Sequence, residues 1–152
     1  MIRICFIGTI AILSLVLLMF SCKKDANQGE IDRGLIEAYV IDNGLDGEYT
    51  SSGLYYEIEQ PGAADRPTIS SVITISDKGY TLNNVEFQNR EFFSGELSNE
   101  IAGLQEGIQL IGEEGKIKLV IPSALAYGPS GYEDIGPNEV LVFDITLHYF
   151  AN

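Results

Sequence analysis

Nine basic residues against 22 acidic ones give this 152-residue chain a formal net charge of −13, which argues against a nucleic-acid partner because such a surface repels phosphate backbones. With 45% hydrophobic and 20% charged residues the chain is globular, and its length suits one domain plus a leader. Its only cysteines, Cys5 and Cys22, lie near the N-terminus, so beyond them no disulfide and no cysteine metal site can form.

Arg3 is followed by an apolar run over residues 4–20, broken only by Gly, Thr, Ser and Cys. A short charged region and an apolar stretch make a secretory signal, placed at residues 1–21. The run ends in Ser21-Cys22 and passes at once to Lys23-Lys24-Asp25. A small residue directly before a cysteine at that point resembles a bacterial lipobox. The resemblance implies cleavage before Cys22, acylation of its thiol, and a protein held by lipid in the bacterial cell envelope, on the periplasmic or the outer face. An uncleaved anchor helix is the competing reading, although the run is at the lower limit for spanning a bilayer.

Residues 23–29 are polar and small and read as a tether. Residues 30–43 read as a helix with Ile31, Leu35, Ala38 and Tyr39 on one face, stopped by Asn43-Gly44. Tether and helix together occupy 22–51, and the main domain is placed at 52–152. A helix this short is marginal alone and must pack on something.

Residues 52–59 alternate and are rich in aromatics, so they form a strand. Pro61-Gly62 and Arg66-Pro67 mark a loop. Residues 71–76 make the next strand, residues 80–87 a further one broken by Asn83-Asn84, and Phe92-Phe93-Ser94-Gly95 opens a looser stretch. Ile101, Leu104, Ile108 and Ile111 recur at helical spacing, giving a helix over 100–111. Ile117, Leu119 and Ile121 alternate until Pro122 ends their strand. After a loop rich in Gly and Pro comes a last strand over 140–149, with Leu141, Phe143, Ile145 and Leu147 on one face. Several antiparallel strands with one helix laid across them is an α+β design.

No acid, base or metal constellation stands out. His148, the sole histidine, reads as an exposed edge residue, and Glu113-Glu114 and Glu133-Asp134 read as solvated turns. No phosphate loop or nucleophile elbow occurs.

The run Ile121-Pro122-Ser123-Ala124-Leu125-Ala126-Tyr127-Gly128 resembles the FK506-binding-protein (FKBP) family of peptidyl-prolyl isomerases. Ser52-Gly53-Leu54-Tyr55-Tyr56 is similar to the start of bacterial members, and the segment from Ala102 to Gly107 to their helix entry. The resemblance implies an FKBP-like antiparallel sheet wrapped around one short helix, here with an extra N-terminal helix. It implies prolyl isomerisation of exported polypeptides in an apolar pocket, without cofactor or metal. The loop tyrosine that donates to the substrate amide matches Tyr127. Substrate-binding positions match Phe87, Phe93, Ile101 (through its backbone N–H), Leu104, Ile135 and Phe143. Three positions depart from the family pattern. Leu104 replaces the usual floor tryptophan, Asp77 a pocket tyrosine, and Gln88 an aspartate. A carboxylate at Asp77 is costly unless paired or solvated, so either the register shifts there or the pocket is wetter. The alternatives are a weak or inactive peptide-binding, chaperone-like lipoprotein and a purely structural one.

Overall fold

A computed structural model describes residues 27–152. The leader, the lipobox with Cys22 and the start of the tether lie outside the described residues.

Helix α1 covers residues 27–43, so it already holds the last residues assigned to the tether. The strands are β1 (Glu48–Tyr49), β2 (Tyr55–Gln60), β3 (Val72–Thr81), β4 (Glu86–Glu96), β5 (Gly115–Ile121) and β6 (Leu141–Ala151), with helix α2 (Ala102–Ile108) between β4 and β5. All neighbours pair antiparallel in the order β1-β2-β5-β6-β3-β4.

The alternation of β5 and β6 sorts the side chains onto two faces. Ile117, Leu119, Ile121, Leu141, Phe143, Ile145 and Leu147 join Leu104, Ile108 and Ile111 in the inner core, while Val120 and Val142 face outward. Helix α2 lies close on β5 because two glycines face it. A Cβ on Gly103 would sit 2.4 Å from the Ile121 side chain, and one on Gly107 would sit 2.3 Å from Leu119. Helix α2 is shorter than its apolar spacing suggests. Ile101 is extended ahead of it, and after it the chain tightens into three-residue turns whose Gly112 N–H reaches the Pro61 carbonyl at 2.9 Å.

The outer face is covered by α1, through a different stripe from the one its apolar residues suggest. Ile31 and Leu35 are 46% and 44% exposed, and Ala38 is exposed too. The buried face carries Asp32, Ile36, Tyr39 and Val40 instead, with Ile36 packed among Tyr55, Val120, Val140 and Val142. Asp32 turns the helix: its carboxylate accepts from the Ser123 N–H at 2.9 Å and the Ser123 hydroxyl at 2.6 Å, with the Gln28 amide at 2.7 Å. Pattern reading counts an aspartate as solvated, and here it is the anchor.

Two other expectations are corrected. Residues 92–95 belong to β4, because Gly95 and Ser94 pair with Ile73 and Thr74. What looked loose is a strand bulged twice, with register shifts opposite Ile75/Asp77 and Gly79/Tyr80 and a left-handed Phe92 (φ 50). His148 lies on β6, a strand with neighbours on both sides. It is half-buried, 2.8 Å from the Ser76 hydroxyl and stacked on Phe92 at 4.4 Å.

Candidate functional site

Between the inner face of the sheet and the loop that follows β5 lies a small recess. Its floor depends on Gly79 of β3, since a Cβ there would sit within 2.8 Å of both the Phe87 and Phe143 rings. Those rings meet edge to face at 5.6 Å, an arrangement that favours aromatic pairs. Tyr127 and Tyr132 stack at 5.0 Å on the loop side. A cavity of about 60 Å³ opens among Phe87, Gln88, Tyr127, Tyr132, Glu133, Asp134 and Ile135. Its volume is far below the roughly 300–1,000 Å³ of clefts for drug-sized ligands, so it suits one ring-sized group.

Of the positions singled out in sequence, Phe87, Tyr127 and Ile135 line this cavity directly. Phe143 is buried beneath Phe87, and Leu104 is buried at 1% exposure. Phe93 and Ile101 are half-buried against the same core. All seven therefore belong to one continuous cluster, with three at the opening and four behind it. The Ile101 carbonyl accepts the Gln105 N–H at 3.0 Å as α2 begins, and among the described residues its own N–H has no backbone partner.

The main surprise is Asp77. The register against β4 does shift just before it, yet Asp77 still faces inward and is only 3% exposed. It is paired rather than hydrated. Arg90 Nε donates to Oδ1 at 2.8 Å and Nη2 to Oδ2 at 3.3 Å, and the Gln88 amide also donates to Oδ2. Arg90 then forks onto Glu100, Nη1 to Oε1 at 3.0 Å and Nη2 to Oε2 at 3.1 Å. Its guanidinium lies 4.2 Å from the centre of the Phe93 ring. Burial opposes the Arg90 charge, but hydrogen bonds to Glu100 and Asp77 outweigh it and hold the group more firmly protonated than usual. Two departures from the family pattern, Asp77 and Gln88, are thus partners of each other. Sequence reading missed Arg90 and Glu100. Regular alternation offered no signal for them, because Asp77 meets Arg90 only after the register shift between Ile75 and Asp77.

The Tyr127 hydroxyl is pushed above the ordinary tyrosine value by burial, then by Tyr132 and Glu100, with Arg90 offsetting part of the rise. It therefore stays protonated near neutrality and can donate. Among the described residues no group of His, Cys, Asp and Glu is arranged to hold a metal ion.

A six-stranded antiparallel sheet closed on one short helix, with an aromatic recess under the loop that follows β5, is the architecture of the FKBP class of domain. The chain belongs to the FKBP-type peptidyl-prolyl cis-trans isomerase family, whose model matches residues 64–148. It is 40% identical over 130 residues to the FKBP-type peptidyl-prolyl cis-trans isomerase FkpA of Escherichia coli (strain K12), covering 82% of this chain and 47% of that protein. The crystal structure of FkpA from Escherichia coli superposes with a TM-score of 0.72 at 31% identity, over 91% of this chain and 71% of that one. A peptidyl-prolyl cis-trans isomerase from Pseudomonas syringae pv. tomato shares the fold, with a TM-score of 0.73 at 22% identity over 84% of this chain and 96% of the other. The chain spans about half the length of the curated relatives it matches.

Proposed function

We propose that this domain is a peptidyl-prolyl cis-trans isomerase acting on proline-containing segments of other polypeptides. Turning an X–Pro bond means breaking amide resonance, a barrier of ~18–20 kcal/mol. The planar amide is the more polar form, because resonance puts charge on its oxygen. Seating the proline against Phe87, Ile135 and the stacked tyrosines removes water that would favour that planar form. Tyr127 donates to the substrate amide and Ile101 N–H to a carbonyl, holding one side while the other rotates. The chemistry needs no nucleophile and moves no proton.

The observation that carries this reading is the recess itself, with Phe87, Tyr127 and Ile135 at its opening and Phe143 beneath Phe87. Pairing with Arg90 and Gln88 holds the Asp77 carboxylate against β4, so that it is not among the residues lining the recess. A proline-limited refolding reaction tests it. Micromolar protein should accelerate the slow phase, and Tyr127→Phe should reduce kcat/KM about tenfold, the scale of one net hydrogen bond. Saturable peptide binding with no acceleration would leave only a binding module.

The same proposal includes the anchor. Residues 1–21 are read as a cleaved signal peptide, Cys22 as the lipidated residue, 22–51 as tether plus helix, and 52–152 as the isomerase domain. The protein then serves exported chains at the bacterial cell envelope, held by lipid on its periplasmic or outer face. No helix among the described residues is long and apolar enough to cross a membrane. Mass spectrometry of the mature N-terminus tests this, the expected product beginning at acylated Cys22.

A further inference from the structure

The charge around the recess does not balance. Its wall sets two carboxylates, Asp77 and Glu100, against the single guanidinium of Arg90, and the two acidic side chains are 0% and 12% exposed. One negative charge is left over in a place that water screens poorly. At the mouth, Glu133 and Asp134 stand among the cavity-lining residues, and no Lys or Arg lines it. Neither carboxylate forms an ion pair among the described residues. Their position is built rather than loose. Tyr132 and Ile135 exchange backbone hydrogen bonds at 2.9 and 2.8 Å, which puts Glu133 (φ 49) and Asp134 at the tip of a closed turn. The pocket tyrosines register the resulting field. Glu133 pushes the Tyr132 hydroxyl up by hydrogen bonding and charge, and Glu100 and Glu133 add to the rise that burial and Tyr132 cause at Tyr127.

We propose that Glu133 and Asp134, backed by the surplus charge of the Asp77–Arg90–Glu100 wall, are specificity determinants that select prolyl segments with a Lys or Arg next to the proline or one residue further along. This rests on the isomerase reading and names its substrate class. An extended chain advances about 3.3–3.6 Å per residue, so a long basic side chain at either place reaches the acidic turn while the proline ring fills the recess. Exposed charge pairs are individually weak, but several around one site add up to about a tenfold preference at low salt.

The test uses the full chain and three short peptides that differ only in the residue beside the proline, Lys, Gln or Glu, followed by exchange NMR at about 0.02 M and about 0.5 M salt. The expected order of kcat/KM is Lys, Gln, Glu, with about a tenfold span at low salt that shrinks to within about twofold at high salt. In the Glu133→Gln/Asp134→Asn double variant the span should collapse toward one already at low salt. Equal acceleration of all three peptides at low salt overturns the proposal and leaves the isomerase reading standing. A span unchanged in the double variant also overturns it. If none of the three is accelerated, the isomerase reading fails and this inference with it.

Discussion

The two faces of the sheet bury an aspartate each, and they do it differently. On the outer face Asp32 is met by neutral donors: the Ser123 N–H and hydroxyl, and the Gln28 amide. On the inner face Asp77 is met by a guanidinium, which is shared with Glu100. On the outer face hydrogen bonds from neutral groups satisfy the carboxylate, and they serve to fix a helix. An ion pair offsets the charge of Asp77, and because Glu100 shares the same guanidinium the inner cluster stays net negative. The contrast shows that position decides how a buried acid is handled, since the residue type is the same.

The largest way to break this contrast is Arg90→Met. It leaves Asp77 buried without its counter-charge, and urea denaturation should show a loss of about 3–5 kcal/mol. Asp77→Asn combined with Arg90→Met should recover much of that loss, because no orphan charge remains; failure to recover would mean that Arg90 matters by packing on Phe93 instead. Next comes Asp32→Ala, which strips the acceptor from two Ser123 donors and should cost about 1–3 kcal/mol by the same measurement.

The smallest effect lies at alkaline pH, on the outer face. Burial opposes the Lys118 charge, but hydrogen bonds to Asp144 and Tyr80 hold its ammonium above the ordinary lysine value, while burial raises the Tyr80 hydroxyl. Both groups keep their protons more tightly folded than unfolded. Their contribution is therefore complete below about pH 10 and falls as pH rises beyond it. The urea midpoint should fall progressively as pH rises above about 10, and less so in Lys118→Met.

Where one periodicity ruled, the sequence was readable. Ile117, Leu119 and Ile121, then Leu141, Phe143, Ile145 and Leu147, alternate without interruption and land on the inner face as expected. The Pro122-to-Gly128 run placed Tyr127 on the loop that closes the recess. Legibility failed where a long-range partner overrode a local pattern. Helix α1 follows Asp32 and Ile36 rather than Ile31 and Leu35, because Ser123, far along the chain, offers two donors. Asp77 and Arg90 face each other only after a bulge has shifted the register of β4, and no spacing rule for regular strands anticipates that. His148 looked peripheral because the last strand in sequence is an interior strand in space.

The margins of the sheet carry one more consequence. One border is β1, only two residues long; the other is β4, eleven residues long but interrupted by two bulges and bearing Glu86, Arg90, Glu91 and Glu96. A short border and a crooked, charged one are poor templates for a foreign strand seeking backbone partners. A protein whose proposed work is to meet unfolded chains can thus handle them at its recess without being zipped into an aggregate along its rims.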